Sequence, residues 1–304
     1  MKELTSEEIR EFISEAHFDE KILLHKDQSW PKISIVIPCY NQAQFLERTI
    51  LSVLNQNYPN LECIIIDGGS TDGSVDIIKK YEKYLSYWMS ERDRGQSHAL
   101  NKGFKVATGE FIGWQNSDDI YLPGAFMEFA TIARKFPNYD IYYSNRINID
   151  ESDNEIDKTY YAPPAWPYIK YHTKYRAMTF CTQATFFRRS ILDDVGYIDE
   201  SLQIAMDTEF FLRCVLKRKK FLYVNSFWGA FRCHGLSKTT RIKPWNRPRM
   251  LEHNHIFKKY KIYHGKFLPI INSMLFIWRL ILLFKSGNLK EYLYYKLKTD
   301  KIIK

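Results

Sequence analysis

Two adjacent aspartates, Asp118 and Asp119, lie in the stretch GWQNSDDIYLPG, where an apolar strand gives way to a Pro-Gly turn. Neighbouring carboxylates repel each other, and a hard divalent cation held by oxygen ligands is the simplest relief of that repulsion. An ion held there would in turn bind phosphates. Acidic turns are also common on protein surfaces, so the pair predicts a metal site only because it follows EFIGW, a strand expected at the centre of a sheet.

A second candidate site begins at Asp67, in the turn DGGSTDGS that follows the apolar strand LECIIID. The glycines of this turn permit a close approach of the backbone to a planar or phosphorylated ligand. The same residues also suit an ordinary turn in which Ser70 or Ser74 caps the next helix. Taken alone, the turn favours this second interpretation.

The elements that must position both candidates alternate between strand and helix. The predicted strands are 33–37, 61–67, 87–89, 110–114 and 140–145, and the predicted helices are 43–55, 74–83, the stretch SHALNKGFKVATG and 123–136. This pattern is typical of an α/β fold with a Rossmann-like, mainly parallel sheet and helices on both faces, in which ligands bind beyond the carboxyl ends of the strands. Asp67 and Asp118 both fall at such ends.

Beyond residue 145 the pattern loosens into a Pro- and Tyr-rich stretch at 160–175. We interpret this stretch as a long loop or an insertion. Its aromatic rings suit stacking on a flat ligand face, and ordinary packing is the alternative. Regular elements return as helices at 190–195 and 207–216 and a strand at 221–224.

Charge is unevenly distributed along the 304 residues. From Arg232 to the C-terminus there are 17 lysines and arginines against three acids, whereas the preceding residues carry a net charge of −5. A basic C-terminal region predicts an anionic partner, either phospholipid headgroups or nucleic acid. Within it, residues 268–284 are apolar except for a stripe that recurs every seven residues, formed by Asn272 and Arg279 and continued by Ser286.

That apolar stretch is marginal for a membrane-spanning helix, which needs about 20 apolar residues without a central charge. A helix lying in the membrane interface and an ordinary core helix remain alternatives. Bases that flank an apolar helix favour a membrane over nucleic acid, which requires base-reading or stacking elements on the basic face. Five scattered cysteines and an N-terminus without a secretory-signal pattern predict a cytoplasmic protein.

Five stretches follow one another in a fixed order: SIVIPCYN, IIIDGGSTDGS, GQSHALNKG, GEFIGWQNSDDIYLPGA and AMDTEFFLRC. Together they resemble the inverting family-2 glycosyltransferases, which have the nucleotide-sugar-binding glycosyltransferase A fold. The likeness runs from about residue 33 to residue 234. Ordered matches over such a length are far more specific than any single motif.

The resemblance implies a donor site and a metal site. One of the paired carboxylates would contact ribose and the other would hold Mn²⁺ or Mg²⁺ against the diphosphate; we favour Asp119 for the metal, with Asp118 beside it. His234 would reach the metal or the leaving diphosphate, although a lone histidine is more often structural. The residues implied to bind the donor are Pro38, Tyr40, Asn41, Asp67, Asn101, Asn116 and Asp118.

Asp207 matches the catalytic base of that family, at the start of a helix that would face the sugar. An aspartate that is ionised at neutral pH can take the proton of the acceptor hydroxyl as that oxygen attacks the anomeric carbon, which inverts the configuration without a covalent intermediate. The structural alternative is a helix N-cap, in which case Glu209 is the substitute base. Arg94 and Arg232 are implied as partners of the diphosphate, with solvated surface charge as the alternative.

The resulting expectation is a metal-dependent hexosyltransferase of cell-surface polysaccharide biosynthesis. It would move a sugar from a nucleotide-diphosphate donor, with uridine favoured, to a glycan or lipid-linked acceptor at the cytosolic face of a membrane. Gly68 and Asn116 stand where many family members have acids, which puts the contacts to base and ribose in question. The expected regions are an N-terminal helical segment (1–30), a catalytic domain (donor half 31–145, acceptor half 146–240) and a basic helical C-terminal region (241–304).

Other functional classes fit less well. A sugar-1-phosphate nucleotidyltransferase would need a Gly-rich, basic loop after the first strand, where this chain has PCYNQAQF, and a dinucleotide-binding dehydrogenase would need a GxGxxG motif. The non-enzyme alternative is a catalytically inactive, membrane-peripheral protein that binds nucleotide sugars.

Overall fold

The computed structural model of the chain describes residues 4–165, 180–235, 237, 247–261 and 268–302. A nine-stranded sheet forms its centre. The strands are β1 (Ile33–Cys39), β2 (Leu61–Asp67), β3 (Tyr87–Ser90), β4 (Phe111–Trp114), β5 (Ile120–Tyr121), β6 (Ile141–Ile149), β7 (Glu155–Thr159), β8 (Thr185–Arg188) and β9 (Phe221–Arg232).

The sheet has a parallel half and a mixed half. Its order is β3-β2-β1-β4-β8-β6-β9-β5, with β7 paired to β6 off this path. The first four strands run parallel, β8 is antiparallel to both of its neighbours, and β6 and β9 are again parallel. The predicted α/β fold is confirmed. The short β5, the polar β7 and the extension of β9 to Arg232 carry no strong apolar pattern and were not predicted.

Eleven helices surround the sheet in the part of the chain that the structure describes. They are α1 (Ser6–Ser14), α2 (Glu20–Leu24), α3 (Ala43–Leu54), α4 (Ser74–Tyr81), α5 (Gln96–Val106), α6 (Ala125–Lys135), α7 (Ser190–Val195), α8 (Met206–Leu216), α9 (Arg247–Lys259), α10 (Leu268–Lys285) and α11 (Leu289–Ile302). Helix α1 begins with a capping box formed by Thr5 and Glu8, which satisfies two backbone amides at its start.

Strands β1 and β2 are buried at all seven positions, so both of their faces are covered. Their isoleucines and valine suit a strand buried on both faces, because β-branched side chains pack well on a pleated surface. Helix α5 approaches β1 closely at Gly103, where an added Cβ would lie 2.3 Å from a side-chain carbon of Val36. This contact fixes α5 against the strands whose carboxyl ends build the site.

Helix α10 has one buried face and one exposed face. Leu275, Leu282 and Leu283 pack against Tyr160 and Ala162 in a cluster separate from the main core. Among the described residues, no helix combines the length and the apolar character needed to cross a bilayer.

The polar stripe of α10 contacts the protein itself. Arg279 donates a hydrogen bond of 3.2 Å to the carbonyl oxygen of Tyr160, and its guanidinium lies 4.9 Å from the ring centroid of Tyr292. The outward face instead carries Ile270, Met274, Ile277, Ile281 and Phe284, whose exposed fractions run from 47% to 72%. Helix α10 therefore packs on the protein with one face, as a core helix does, and exposes an apolar face, as a helix in the membrane interface does.

Candidate functional site

A cavity of about 1300 Å³ opens at the carboxyl ends of β1, β2 and β4. Residues that follow these strands line it, together with the start of α8 and residues of β6 and β9. A typical pocket for one small ligand has a volume of about 300–1,000 Å³, so this cavity has room for two substrates at once. Its position at the ends of the parallel strands agrees with the place predicted for ligands.

One wall of the cavity is the end of β1 and the loop after it. Three residues predicted to bind the nucleobase, Pro38, Tyr40 and Asn41, line the cavity, and Tyr40 is 62% exposed. Asn41 has a positive φ of 50°, a conformation that asparagine tolerates better than most residues. Its backbone N–H donates to Ser70 Oγ at 2.7 Å, and its side-chain oxygen accepts from the Thr71 N–H at 2.9 Å. These bonds join the loops after β1 and β2.

Asp67 shapes the neighbouring turn from beneath the surface of the cavity. It is fully buried, and its carboxylate accepts hydrogen bonds from the backbone of Gly69 and Ser70 and from the hydroxyls of Ser70 and Ser90, at 2.5 to 3.0 Å. Gly68 and Gly69 line the cavity in its place. Asp67 therefore holds the turn that lines the cavity, and its own side chain does not line the cavity.

Asp93 is a cavity-lining acid that the sequence analysis missed. Its carboxylate accepts a hydrogen bond of 2.7 Å from the backbone of Gly95, just before α5. It also lies against the turn after β2, because a Cβ added to Gly68 would be 2.7 Å from one of its oxygens. The signal in the sequence is the tripeptide DRG directly before a helix, which by itself indicates only a turn.

The second aspartate of the DD pair, Asp119, is fully buried. One of its oxygens accepts from the backbone N–H of Arg232 at 2.9 Å, and the other accepts from Gln183 Nε2 at 2.7 Å and Asn116 Nδ2 at 2.9 Å. Burial, and after it the charge of Asp118, raise the pKa of Asp119 above its usual range. Both of its oxygens are thus occupied by protein donors, and Asn116 lines the cavity in front of it.

The first aspartate, Asp118, faces the cavity together with Ser117. Its Oδ2 lies 3.0 Å from Nε2 of His234, so the structure brings two of the residues predicted for the metal together. The imidazole is buried, its ring centroid lies 4.5 Å from that of Phe45, and its Nδ1 has no hydrogen-bond partner within the described parts of the chain. The carboxylate that faces the cavity is therefore that of Asp118, and not that of Asp119 as the sequence favoured.

Asp207 also lines the cavity, in the first turn of α8. Its Oδ1 accepts a hydrogen bond of 2.6 Å from the backbone N–H of Thr208. The segment just before the helix is held by Glu252 of α9, whose carboxylate accepts from three consecutive backbone amides, those of residues 203–205, at 2.8 to 2.9 Å. Glu252 thus fixes the approach to α8, and the carboxylate of Asp207 lines the cavity.

Glu209, the substitute base, lies elsewhere. It is fully buried and accepts hydrogen bonds from Arg213 and Lys259, both at 3.0 Å, and from the Tyr260 hydroxyl. Glu209 does not line the cavity. Its role in the structure is to join α8 to the end of α9.

Three other predicted donor contacts are also structural. Asn101 is buried and bonds to the backbone of Ile198 and to the carboxylate of Glu200, at 2.9 Å each. Arg94 forms an ion pair with Glu200 on the surface. Arg232 is buried, and its guanidinium pairs with Asp153 and donates to the carbonyl oxygen of Asp118 at 2.8 Å. None of these three side chains lines the cavity.

The arginines that do line the cavity are Arg92, after β3, and Arg146, on β6. Neither could be predicted from the sequence, because each belongs to a segment without a recognised motif. Tyr161 of the aromatic stretch, Phe180 after that stretch and His253 of α9 also line the cavity. Residues 166–175 of the predicted long loop lie outside the described residues.

The residues present fit a divalent cation only in part. Within the described ranges, no group of three or more His, Cys, Asp and Glu side chains is arranged to hold a metal ion. Asp118 and His234 supply one carboxylate and one imidazole, a donor set that suits Mn²⁺. Since the remaining ligands of such an ion come from phosphate oxygens and water in many nucleotide sites, two protein ligands are compatible with a metal bound together with a diphosphate.

The sequence is similar to those of known proteins over much of its length. A profile of glycosyl transferase family 2 matches residues 34–196. An uncharacterized glycosyltransferase of Rickettsia typhi is 30% identical over 209 residues, which cover 65% of this chain and 61% of the relative. Chondroitin synthase of Escherichia coli is 29% identical over 187 residues, which cover 60% of this chain and 26% of the synthase. The chain thus spans less than two thirds of the length of these relatives.

Two solved structures share the fold. The mannosyltransferase PcManGT of Pyrobaculum calidifontis, in complex with GDP-Man and Mn²⁺, has a TM-score of 0.58 at 15% identity, with 98% of this chain and 87% of that chain covered. TarS of S. aureus has a TM-score of 0.56 at 19% identity, with 66% of this chain and 37% of TarS covered. At these identities the likeness concerns the arrangement of the elements.

Proposed function

The chain belongs to glycosyl transferase family 2 and has the glycosyltransferase A fold, and we propose that it is an inverting, metal-assisted sugar transferase. The observation that carries this proposal is the meeting of Asp118 and Asp207 in one cavity. Asp118 follows a parallel strand and lies beside the imidazole of His234, and Asp207 lies in the first turn of α8. Asp118 and His234 thus offer a site for the leaving group, and Asp207 offers a base.

We propose that the donor is a nucleotide-diphosphate sugar, with UDP favoured over GDP. The loops after β1 and β2 support a planar base between Tyr40 and the Gly68–Gly69 turn, with Asp93 and Asn116 nearby. TarS has been solved with UDP-GlcNAc and PcManGT with GDP-Man, so the fold accepts both bases. A direct comparison of UDP- and GDP-sugars as donors decides between them.

In the proposed reaction, a hydroxyl oxygen of the acceptor attacks the anomeric carbon of the donor sugar. Asp207 takes the hydroxyl proton as the new glycosidic bond forms. The bond between the anomeric carbon and the diphosphate oxygen breaks on the opposite side, and the nucleoside diphosphate leaves with that electron pair. One displacement inverts the configuration at this carbon, so the proposal needs no second nucleophile.

Asp118 and His234 would hold Mn²⁺ or Mg²⁺. When bound, such an ion supplies positive charge next to the diphosphate, which makes the diphosphate a better leaving group. Asp119 contributes from behind: it fixes the backbone of Arg232 and the side chains of Gln183 and Asn116 around the metal-binding carboxylate.

The acceptor proposed is a glycan or lipid-linked saccharide of a cell-surface polysaccharide, at the cytosolic face of a membrane. Relatives named chondroitin synthase and putative teichuronic acid biosynthesis glycosyltransferase TuaG support a polysaccharide product. The exposed apolar face of α10 supports contact with a membrane surface. It lies close in sequence to exposed lysines, among them Lys285 and Lys290, which suit anionic headgroups.

The test of the proposed function is release of nucleoside diphosphate from nucleotide sugars in the presence of Mn²⁺. We expect release by the unmodified chain, and we expect the Asp207→Asn variant to lose at least about a hundredfold of it, because a positioned base contributes about 10²–10⁴. Glu209→Gln is not a suitable control because it breaks a buried cluster, so the control is Glu200→Gln at the surface. Full turnover by Asp207→Asn with an unchanged melting temperature refutes the assignment.

The same assay separates the two functional alternatives. A nucleotide-sugar-binding protein without turnover would show a thermal shift with UDP-sugars but no release of nucleotide. A nucleotidyltransferase would consume nucleoside triphosphate and sugar 1-phosphate and release pyrophosphate. Either outcome replaces the proposal.

A further inference from the structure

The proposed reaction does not use the charge of Arg146, a cationic residue of the cavity wall. It lies on β6, where it is paired with Thr159 of β7 and Gly229 of β9, and it lines the cavity. Its guanidinium carbon lies 4.7 Å from the ring centroid of Phe231, which also lines the cavity. An aromatic ring on one side of a guanidinium orients the planar fork and leaves its edge available to a ligand.

Arg146 forms no ion pair with a carboxylate within the described parts of the chain. Its Nε is buried without a hydrogen-bond partner. The charge of the buried Asp119 acts on it through space, but both oxygens of Asp119 accept hydrogen bonds from other residues. A partly buried cation without a partner is costly, so its presence at a cavity indicates a ligand that brings the anion.

Other arginines of the chain show the contrast. Arg48 and Arg232 both pair with Asp153, and Arg213 pairs with Glu209. Each of these buried or half-buried guanidinium groups has a carboxylate partner. The lack of one at Arg146 is therefore a local feature and not a general property of the structure.

The position of Arg146 assigns it to the acceptor side. The predicted contacts to the nucleoside follow β1, β2 and β4, whereas β6 lies beyond β8 from β4 and next to β9, the strand that leads to His234. Neighbouring strands are about 4.8 Å apart, so β6 lies roughly 10 Å from β4. The aromatic residues next to Arg146 in the cavity wall, Tyr161 and Phe180, come from the acceptor half of the chain.

From these observations we infer that Arg146 binds an anionic group, a carboxylate or a phosphate, on the acceptor saccharide. The inference rests on the proposed function and deepens it, because it names the chemical class of the acceptor. The fork of a guanidinium suits both groups, since each presents two oxygens to parallel N–H donors. The acceptor is then an acidic glycan, such as one that contains uronic acid or sugar phosphate.

The test measures the affinity of matched small saccharides for the full chain in the presence of UDP and Mn²⁺. Glucuronic acid is compared with its methyl ester, and glucose 6-phosphate with glucose, by ligand-observed NMR titration. We expect the charged member of at least one pair to bind about tenfold more tightly than its neutral analogue. The pair that shows the preference identifies a carboxylate or a phosphate as the anion.

Arg146→Gln should abolish this preference, whereas Arg146→Lys should retain part of it. The matched control is Arg134→Gln, because Arg134 also lies over an aromatic ring, 4.8 Å from Trp30, but in a different cavity. The control should keep the preference. Equal binding of charged and neutral members by the unmodified chain, or a preference unaffected by Arg146→Gln, overturns the inference.

A separate measurement tests whether the anion that Arg146 binds belongs to the donor. UDP affinity is measured for the same variants, and the inference predicts a change of less than about threefold for Arg146→Gln. A loss of UDP affinity as large as tenfold would assign Arg146 to the diphosphate and overturn the acceptor assignment. Failure of the proposed function itself would appear differently, as absence of UDP binding and nucleotide release in the unmodified chain.

Discussion

Asp118 and Asp119 are neighbours in the sequence, yet only Asp118 faces the cavity. Asp119 is buried and accepts hydrogen bonds from Arg232, Gln183 and Asn116. The pair lies in the turn between β4 and β5, where the backbone directs one carboxylate to the cavity and the other into the protein. The carboxylate of Asp118 is therefore available to a cation, and the carboxylate of Asp119 holds the loop.

The different surroundings of Asp118 and Asp119 predict that substitution of Asp118 mainly lowers activity and that substitution of Asp119 mainly lowers stability. Asp118→Asn should lower Mn²⁺-dependent nucleotide release by at least about a hundredfold and leave the melting temperature unchanged or slightly raised, because a charge next to Asp119 is removed. Asp119→Asn should lower the free energy of unfolding by about 1–3 kcal/mol, because an amide NH₂ would face protein donors. Thermal unfolding and Mn²⁺ titration at saturating UDP measure both. A metal site at Asp119 would show the reverse pattern.

The same reasoning explains which site residues the sequence could predict. Pro38, Tyr40 and Asn41 directly follow an apolar strand, so their place at the cavity follows from strand order alone. Asn101 is different: its side chain bonds to Ile198, which lies 97 residues further along the chain. A partner that distant is brought near only by the complete fold, and no local pattern distinguishes such an asparagine from a ligand-binding one.

Helix α9, in the C-terminal region, holds the helix that carries Asp207. Glu252 accepts from the three backbone amides that precede α8, and Lys259 donates to the buried Glu209 and to Asp199 at 3.0 and 2.8 Å. The division proposed at residue 240 therefore separates segments that build one site together. The sequence predicted a basic C-terminal region but not this function, because α9 has no motif and few apolar positions.

Glu252→Ala should loosen the start of α8. We expect a loss of about 1–3 kcal/mol in the free energy of unfolding, because three backbone amides lose their charged acceptor, and a fall in kcat larger than any change in the donor KM. The control is His255→Ala, an exposed position on the same helix. Urea unfolding and steady-state kinetics give both numbers. If the two variants behave alike, α9 does not position the base.

For the whole molecule, the main feature outside the cavity is the apolar face of α10. Ile270, Met274, Ile277, Ile281 and Phe284 recur with the spacing of one helical face and are all exposed. The positive charge of the chain is concentrated in the same region. Apolar side chains next to basic residues are the combination by which a helix lies on an anionic membrane.

This surface predicts binding to vesicles that contain anionic phosphatidylglycerol, with weaker binding to neutral phosphatidylcholine and at high salt. Ile277→Ser combined with Phe284→Ser should weaken the binding by at least about tenfold, because two apolar contacts are lost. The control replaces two exposed apolar residues of α6, Met127→Ser with Phe136→Ser. Sedimentation of vesicles measures the bound fraction. Equal binding by both double variants would show that α10 is not the membrane contact.

In the proposed reaction, Asp118 holds a cation against the diphosphate of a donor placed next to Asp207. The most direct measurement is anomalous diffraction at the manganese edge from crystals of the chain soaked with UDP and Mn²⁺. We expect one anomalous peak within coordination distance of Asp118 and of the diphosphate, with Asp207 lining the same cavity. A nucleotide bound elsewhere, or manganese remote from Asp118, would contradict it.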